Sequence, residues 1–267
     1  MQTKSEFLIA ALDAAQAARE VILRHYAAGV QVAFKGDDSP VTAADVEAEE
    51  SIVSVLRSRF SDHGFYGEEA GRQGRDSEYV WLIDPIDGTK SFVRACPFFS
   101  TQIALMHRGE IVLGVSMAPV TGDVFYAERG QGAWCEETQL RVRREVSLDR
   151  TVLSTGNLAS LIREPVAWTA LGQLMLEVHR HRGYGDFLHY HLLAQGSIDL
   201  VIESDVNVLD IAALSLIVQE AGGCFTDLQG ASVSLDTRSV LASGDPALHA
   251  MASERLGFPN HNEHAVH

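Results

Sequence analysis

Cysteine is scarce in this chain. Three occur in 267 residues, Cys96, Cys135 and Cys224, widely spaced and with no CxxC pair. That count excludes a disulfide framework and fits reduced thiols that pack as small hydrophobes. Long apolar runs are missing too: no stretch approaches the roughly 18 residues of a membrane-spanning helix. The opening MQTKSEFLIAALDAAQAARE lacks the compact apolar stretch and small-residue cleavage site of a signal peptide, and its acidic residues argue against a transit peptide. A cytoplasmic address is expected. Positive charge is in deficit, 21 Lys and Arg against 36 Asp and Glu, for a formal charge of −15. Such a surface repels phosphodiester backbones and anionic bilayers, so neither nucleic acid nor membrane is expected as a partner. A small phosphorylated molecule would be repelled as well. A protein of this charge that handles phosphate has to bring cations to the site.

What is present is an ordinary globular composition, 46% hydrophobic and 21% charged, on a chain long enough for one large domain or two modest ones. Apolar residues from Phe7 to Tyr26 recur at helical spacing, and Gly29 stops the helix. After a turn at Gly36 to Pro40, Thr42 caps a second helix running to about Phe60, with Asp45 placed as in a capping box. A loop containing Gly64, Gly67, Gly71 and Gly74 leads to Tyr79–Ile83, a short apolar run that reads as a buried strand ending at Asp84. Residues 100–107, 111–117 and Val124–Tyr126 predict an antiparallel meander. Beyond about residue 146, strand-like pieces at Thr151–Ser154, Asp199–Ile202, Cys224–Thr226 and Val240–Ala242 alternate with helical ones near 158–178, 186–196, 209–221 and 245–255. The expected organisation is an N-terminal α+β part, 1–145, and a C-terminal α/β part, 146–267. The tail from Phe258, with His261, His264 and His267, reads as solvated.

The stretch most informative about chemistry is Trp81-Leu82-Ile83-Asp84-Pro85-Ile86-Asp87-Gly88-Thr89-Lys90-Ser91. A buried strand delivers Asp84, Pro85 stops pairing, Asp87 follows three residues on, and Gly88-Thr89 opens a helix. Two carboxylates at one corner suit a hard divalent cation, and the N–H groups of Gly88, Thr89 and Lys90 suit a phosphate. Gly67-Glu68-Glu69-Ala70-Gly71 adds acids in a glycine-bracketed loop, Asp45 adds one near a helix start, and Asp210 adds one in Val208–Leu214. By themselves these also describe a solvated charge pair and two helix-terminal acids.

In this order the motifs resemble the inositol-monophosphatase superfamily of Mg²⁺-dependent phosphomonoesterases, over essentially residues 5–255. The likeness lies in Lys35…Thr42…Asp45, Gly67-Glu68-Glu69, Asp84-Pro85-Ile86-Asp87-Gly88-Thr89 and Asp210 ahead of Glu220-Ala221-Gly222-Gly223. The resemblance implies a layered α/β/α/β/α sandwich, a homodimer and two or three Mg²⁺ ions. It implies that Glu68, Asp84 and the Ile86 carbonyl hold one ion, that Asp84, Asp87 and Asp210 hold a second, and that a third lies near Glu68. Asp45 and Thr89 would then accept or relay the proton of an attacking water, while Gly88 and Thr89 hold the phosphate. No Gly-x-Ser-x-Gly elbow is present, so direct attack by water is expected.

For the substrate, Lys90 and the Arg182-Gly183-Tyr184-Gly185-Asp186-Phe187 segment are similar to the histidinol-phosphatase branch. Asp186 would pair with a cationic amine or imidazole, and Arg182 would contact phosphate or a neighbouring subunit's site. Substrate contacts are expected from Asp87 and Asp210 as well. Histidinol phosphate, a metabolite of histidine biosynthesis, is the expected substrate. Inositol phosphate, a sugar phosphate or a nucleotide 3′-phosphate are the alternatives within the class, and a transcription-associated interaction protein is the alternative outside it. Leu209 stands where the family usually has Trp, and Ser91 where Asn is common. His189 and His191, two apart on one helix, are read as non-ligands.

Overall fold

Capping chemistry and apolar spacing put the first helix where the sequence predicts it. In the computed structural model, which describes residues 4–29, 32–34, 40–74 and 77–257, helix α1 (Glu6–Ala28) starts at Ser5, whose hydroxyl accepts Leu8 N at 3.1 Å. Lys35, the turn over 36–39 and the tail with His261, His264 and His267 lie outside the described residues. Strands β1 (Val32–Phe34) and β2 (Pro40–Thr42) pair antiparallel and lead into α2 (Ala43–Arg59). The buried stripe of α1 is rich in alanine, Ala10, Ala11, Ala14, Ala15 and Ala18, which lets α2 pack close at no cost in side-chain entropy.

The chain divides into two units, one of residues 1–137 with 209–217, the other of 138–208 with 218–267. In the first, β3 (Gly64–Gly67), β4 (Gly71–Gln73), β5 (Tyr79–Asp87), β6 (Ser100–His107), β7 (Glu110–Met117), β8 (Val124–Glu128) and β9 (Ala133–Cys135) form a sheet in the order β4-β3-β5-β6-β7-β8-β9. Only β3 and β5 run parallel; the expected meander is β6 to β8. The glycine-rich stretch expected as a loop is instead a hairpin of β3 and β4, joined by 68–70. Short helix α3 (Thr89–Val93) follows β5. The core here combines Leu8, Ile22, Ile52 and Leu56 from the two helices with Trp81, Ile83, Ile103 and Val115 from the sheet.

The second unit opens at β10 (Thr138–Gln139) and holds a five-stranded sheet of β11 (Val152–Thr155), β12 (Arg180–Arg182), β13 (Leu200–Ser204), β14 (Cys224–Thr226) and β15 (Ser239–Ser243), in the order β12-β11-β13-β15-β14. The helix expected over 158–178 is broken into α4 (Ala159–Ile162) and α5 (Pro165–Glu177), because the residue before a proline is driven out of the helical region. Helices α6 (Asp186–Ala194), α7 (Val208–Glu220) and α8 (Pro246–Leu256) fall where expected, and the middle of α7 belongs to the first unit. Leu153, Leu171, Leu174, Ile202, Leu241 and Leu248 centre the second core. Among the described residues no helix is long and apolar enough to cross a membrane. The described residues thus form a mixed α/β protein of two large sheets and the small β1–β2 pair, the α/β class expected.

Candidate active site

Strand β5 is buried along nearly its whole length, so a charged residue on it has to be accommodated rather than solvated. Asp84 is 2% exposed, and its Oδ1 accepts Ile86 N at 2.9 Å, which turns the chain past Pro85. Here the pairing with β6 steps from Asp84 opposite Gln102 to Asp87 opposite Ser100, three residues against two. This bulge sets Pro85 and Ile86 against the single residue Thr101 and takes the Ile86 carbonyl out of one-to-one pairing before the ladder resumes at Asp87. Its far side is pinned by β6: Thr101 Oγ1 donates to Pro85 O at 2.9 Å, and Ser100 Oγ donates to Asp87 Oδ2 at 3.2 Å while accepting Gln102 Nε2 at 2.7 Å. Gly88 then adopts a φ of 90°, a left-handed turn that glycine makes at little cost, and Thr89 opens α3 with its hydroxyl donating to Ile86 O at 3.0 Å.

Asp45 arrives from α2. Its Oδ2 accepts both Thr42 N and Thr42 Oγ1 at 2.7 Å, the predicted capping box, while Oδ1 is buried with no hydrogen-bond partner. Burial pushes its carboxyl up to about 6, with Glu68 and Glu69 adding and the Thr42 bonds opposing. Asp84 is held well above the usual carboxylate range, first by burial and then by the negative charges of Glu68, Asp210, Asp87 and Asp45. Five carboxylates expected at the site therefore share one field, although Asp84 and Asp210 are far apart in sequence.

Among the described residues no group of three or more His, Cys, Asp or Glu forms a metal-holding cluster on its own. The donor chemistry is nevertheless that of a hard cation: carboxylate oxygens, one carbonyl and the orphaned Asp45 Oδ1. Mg²⁺ ordinarily takes only one or two protein carboxylates and completes its shell with waters and substrate phosphate. The residues fit such an ion, and a cation would relieve the repulsion at Asp84.

Arg182 and Asp186 lie in the second unit, on either side of the Gly183-Tyr184-Gly185 turn. Arg182 is exposed and its Nη1 donates to His181 O at 2.7 Å; Asp186 is the first residue of α6. Tyr184 N, within that turn, donates to Ser154 Oγ at 3.3 Å. His189 and His191 are both buried. His189 Nε2 lies 3.1 Å from Glu203 Oε2, and burial pushes His191 down to about 3, so it is neutral. Leu209 is 2% exposed, an apolar wall where the family usually has a ring.

Three residues near the carboxylates are absent from the sequence-based expectation: Glu49, Ser100 and Gln102. Glu49 carried a signal, an acid on the inward face of α2 one turn after Asp45. Ser100 and Gln102 carried none, since small polar residues alternating along a strand normally mark its wet face.

The sequence matches the pattern of the inositol monophosphatase family over residues 3–257. A histidinol-phosphatase of Streptomyces coelicolor is 38% identical over 259 residues, 93% of each chain. An inositol-1-monophosphatase of Caulobacter vibrioides is 36% identical over 239 residues, 85% of this chain and 91% of that one. The crystal structure of extragenic suppressor protein suhB from Bartonella henselae superposes with a TM-score of 0.86 at 31% identity, covering 94% of this chain and 98% of that one.

Proposed function

The chain belongs to the inositol monophosphatase family and is a phosphoric monoester hydrolase, and from that premise we propose that it is a cytoplasmic, Mg²⁺-dependent enzyme that hydrolyses histidinol phosphate. The observation that carries the Mg²⁺ reading is Asp84, buried beside four other carboxylates. Glu68, Asp84 and the Ile86 carbonyl would hold one ion, and Asp84, Asp87 and Asp210 a second. Mg²⁺ bound there supplies charge neutralisation, polarisation of the phosphoryl oxygens and a lowered pKa for water.

The chain's own groups do the rest. Ser100 and Thr42 keep Asp87 and Asp45 oriented through the hydrogen bonds described above. Asp45 Oδ1 has no other partner, so it is free to take the proton of an attacking water. Thr89 Oγ1, which donates its own proton to the Ile86 carbonyl, keeps lone pairs to accept a hydrogen bond from that water and orient it, while the proton itself goes to Asp45. Gly88 and Thr89 present backbone N–H groups to the phosphate. No protein nucleophile is required.

Histidinol phosphate is favoured by the Arg182–Phe187 segment, where half-buried Asp186 offers a partner to a cationic substrate. Similarity to a histidinol-phosphatase supports that reading, and similarity to an inositol-1-monophosphatase keeps inositol phosphate as the alternative. A cytoplasmic setting is supported by three unbridged cysteines. A second reading, an interaction role in transcription, is favoured by 35% identity to a protein of Pasteurella multocida named Nus factor SuhB. Phosphate release from histidinol phosphate, inositol 1-phosphate, fructose 1,6-bisphosphate and 3′-phosphoadenosine 5′-phosphate, with Mg²⁺ or EDTA and with Asp84→Asn as control, tests all of these. Preference for histidinol phosphate is expected. Preference for inositol phosphate would overturn the substrate, and no Mg²⁺-dependent release from any ester would move the weight to the interaction role.

A further inference from the structure

Asp45 and Glu49 stand one helical turn apart on α2, and both are buried. Asp45 belongs to the carboxylate cluster, whereas both oxygens of Glu49 are engaged by backbone. Glu49 Oε2 accepts Glu69 N at 2.8 Å and Oε1 accepts Ala70 N at 2.9 Å. These are the two residues that follow Glu68 in the β3–β4 connection. Gly67, which precedes Glu68, has no room for a side chain: a Cβ there would run into the Glu49 carboxylate. The carboxylate and the connection therefore fit each other on both sides of Glu68.

Glu49 is 3% exposed, and burial together with the nearby Glu69 and Glu68 charges holds its carboxyl above the ordinary range. An acid placed there costs stability, and two backbone N–H bonds offset only part of that cost. Folding alone does not call for an acid at this position; an apolar side chain would suit the buried face of α2 better.

We propose that Glu49 is a positioning residue for the cation site: by gripping Glu69 N and Ala70 N it fixes the backbone from which Glu68 acts on Asp84 and Asp45, and so sets the affinity for Mg²⁺. The inference rests on the phosphatase reading above. Groups that orient a metal ligand typically carry about 10–100-fold in metal affinity. Two other acids of the site have their own holders, Thr42 for the proton acceptor Asp45 and Ser100 for Asp87.

Glu49→Gln keeps the shape but leaves one acceptor oxygen where there were two. Three measurements compare it with wild type: amide hydrogen exchange of peptides spanning 67–71, calorimetric titration with MgCl₂, and phosphate release against Mg²⁺ concentration. The expected result is faster exchange confined to that connection and Mg²⁺ binding weakened about tenfold, with kcat regained at saturating Mg²⁺. Gly67→Ala, which forces the carboxylate aside, produces the same pattern, and the double variant is no worse than either single one. Gly67→Ala carries the comparison by itself if Glu49→Gln does not fold. Unchanged exchange, unmoved Mg²⁺ affinity or a kcat that stays low at saturating Mg²⁺ overturns the proposal. A wild type that binds Mg²⁺ but releases phosphate from no ester sinks the phosphatase reading, while exchange and calorimetry still decide on Glu49. A wild type that binds no Mg²⁺ overturns both.

Discussion

Arg143 grips Asp199 with two parallel bonds, Nε to Oδ1 at 2.8 Å and Nη2 to Oδ2 at 2.7 Å. Asp199 is 1% exposed and its Oδ2 also accepts Val152 N at 2.7 Å, while its backbone bonds to Val152 and Gly244. One residue thus ties the approach to β11 to the start of β13 through its side chain, and to the end of β15 through its backbone carbonyl. Removing the guanidinium leaves a buried carboxylate with a single backbone donor. Arg143→Ala is expected to lower unfolding stability by about 2 kcal/mol, since Arg143 itself is half exposed and part of its charge is already screened. Urea unfolding monitored by tryptophan fluorescence checks this, and a loss within about 0.5 kcal/mol of zero would mean that the pair is ornamental.

Asp84→Asn separates catalysis from stability. The amide oxygen still accepts Ile86 N, but the charge at the centre of the cluster is gone. Phosphate release is expected to fall by about 10²–10³-fold. In EDTA the same variant melts at a higher temperature than wild type, because it relieves repulsion among Glu68, Asp87, Asp45 and Asp210. A lower melting temperature in EDTA would show that the cluster is not under electrostatic strain.

Acid sensitivity has a separate source in the second unit. Burial pushes His249 down to about 4 from an ordinary 6.5, and its Nε2 lies 3.0 Å from Thr226 Oγ1. Below about pH 6.5 the unfolded chain binds a proton that the folded chain refuses, so stability falls as pH drops from 6.5 to 4 and is insensitive to this group above that window. His191, pushed down to about 3, acts in the same direction over a wider range. The difference in unfolding free energy between pH 7 and 4.5 is expected to shrink by about 2 kcal/mol in His249→Gln. Equal acid slopes for variant and wild type would rule out His249 as the cause.

Asp186→Asn is expected to raise KM for histidinol phosphate by about five- to tenfold, with KM for inositol 1-phosphate nearly unchanged. Steady-state kinetics on both esters reads the difference. A parallel rise for the two would assign Asp186 to α6 and not to the substrate.

The elements legible in the sequence were those whose signal is local. The Thr42–Asp45 capping box needs only residues three apart, and Asp84 and Asp87 stood out because a continuous apolar run delivered them. Strand β12 was missed because Arg180-His181-Arg182 is an edge strand whose outward side chains carry no apolar pattern. The β3–β4 hairpin was read as a loop because four glycines mask strand propensity. The approach of Asp210 to Asp84 is non-local, and nothing in the spacing of either motif encodes it; family resemblance alone supplied it. Glu49 and Ser100 act through hydrogen bonds to groups 13 to 21 residues away in the chain, beyond the reach of any periodicity.

The first unit contains residues 209–217 as well as 1–137, and Gly114 on β7 has no side chain where the backbone of Ala213 on α7 lies against it. During synthesis the sheet, α1 and α2 leave the ribosome long before that helical segment exists. The surface around Gly114 must wait through some seventy residues of second-unit chain before its cover arrives, and the fifth carboxylate, Asp210, arrives with it. A nascent chain halted before Leu209 therefore holds four of the five acids and an uncovered strand, so the carboxylate cluster is completed late, after most of the polypeptide has been made.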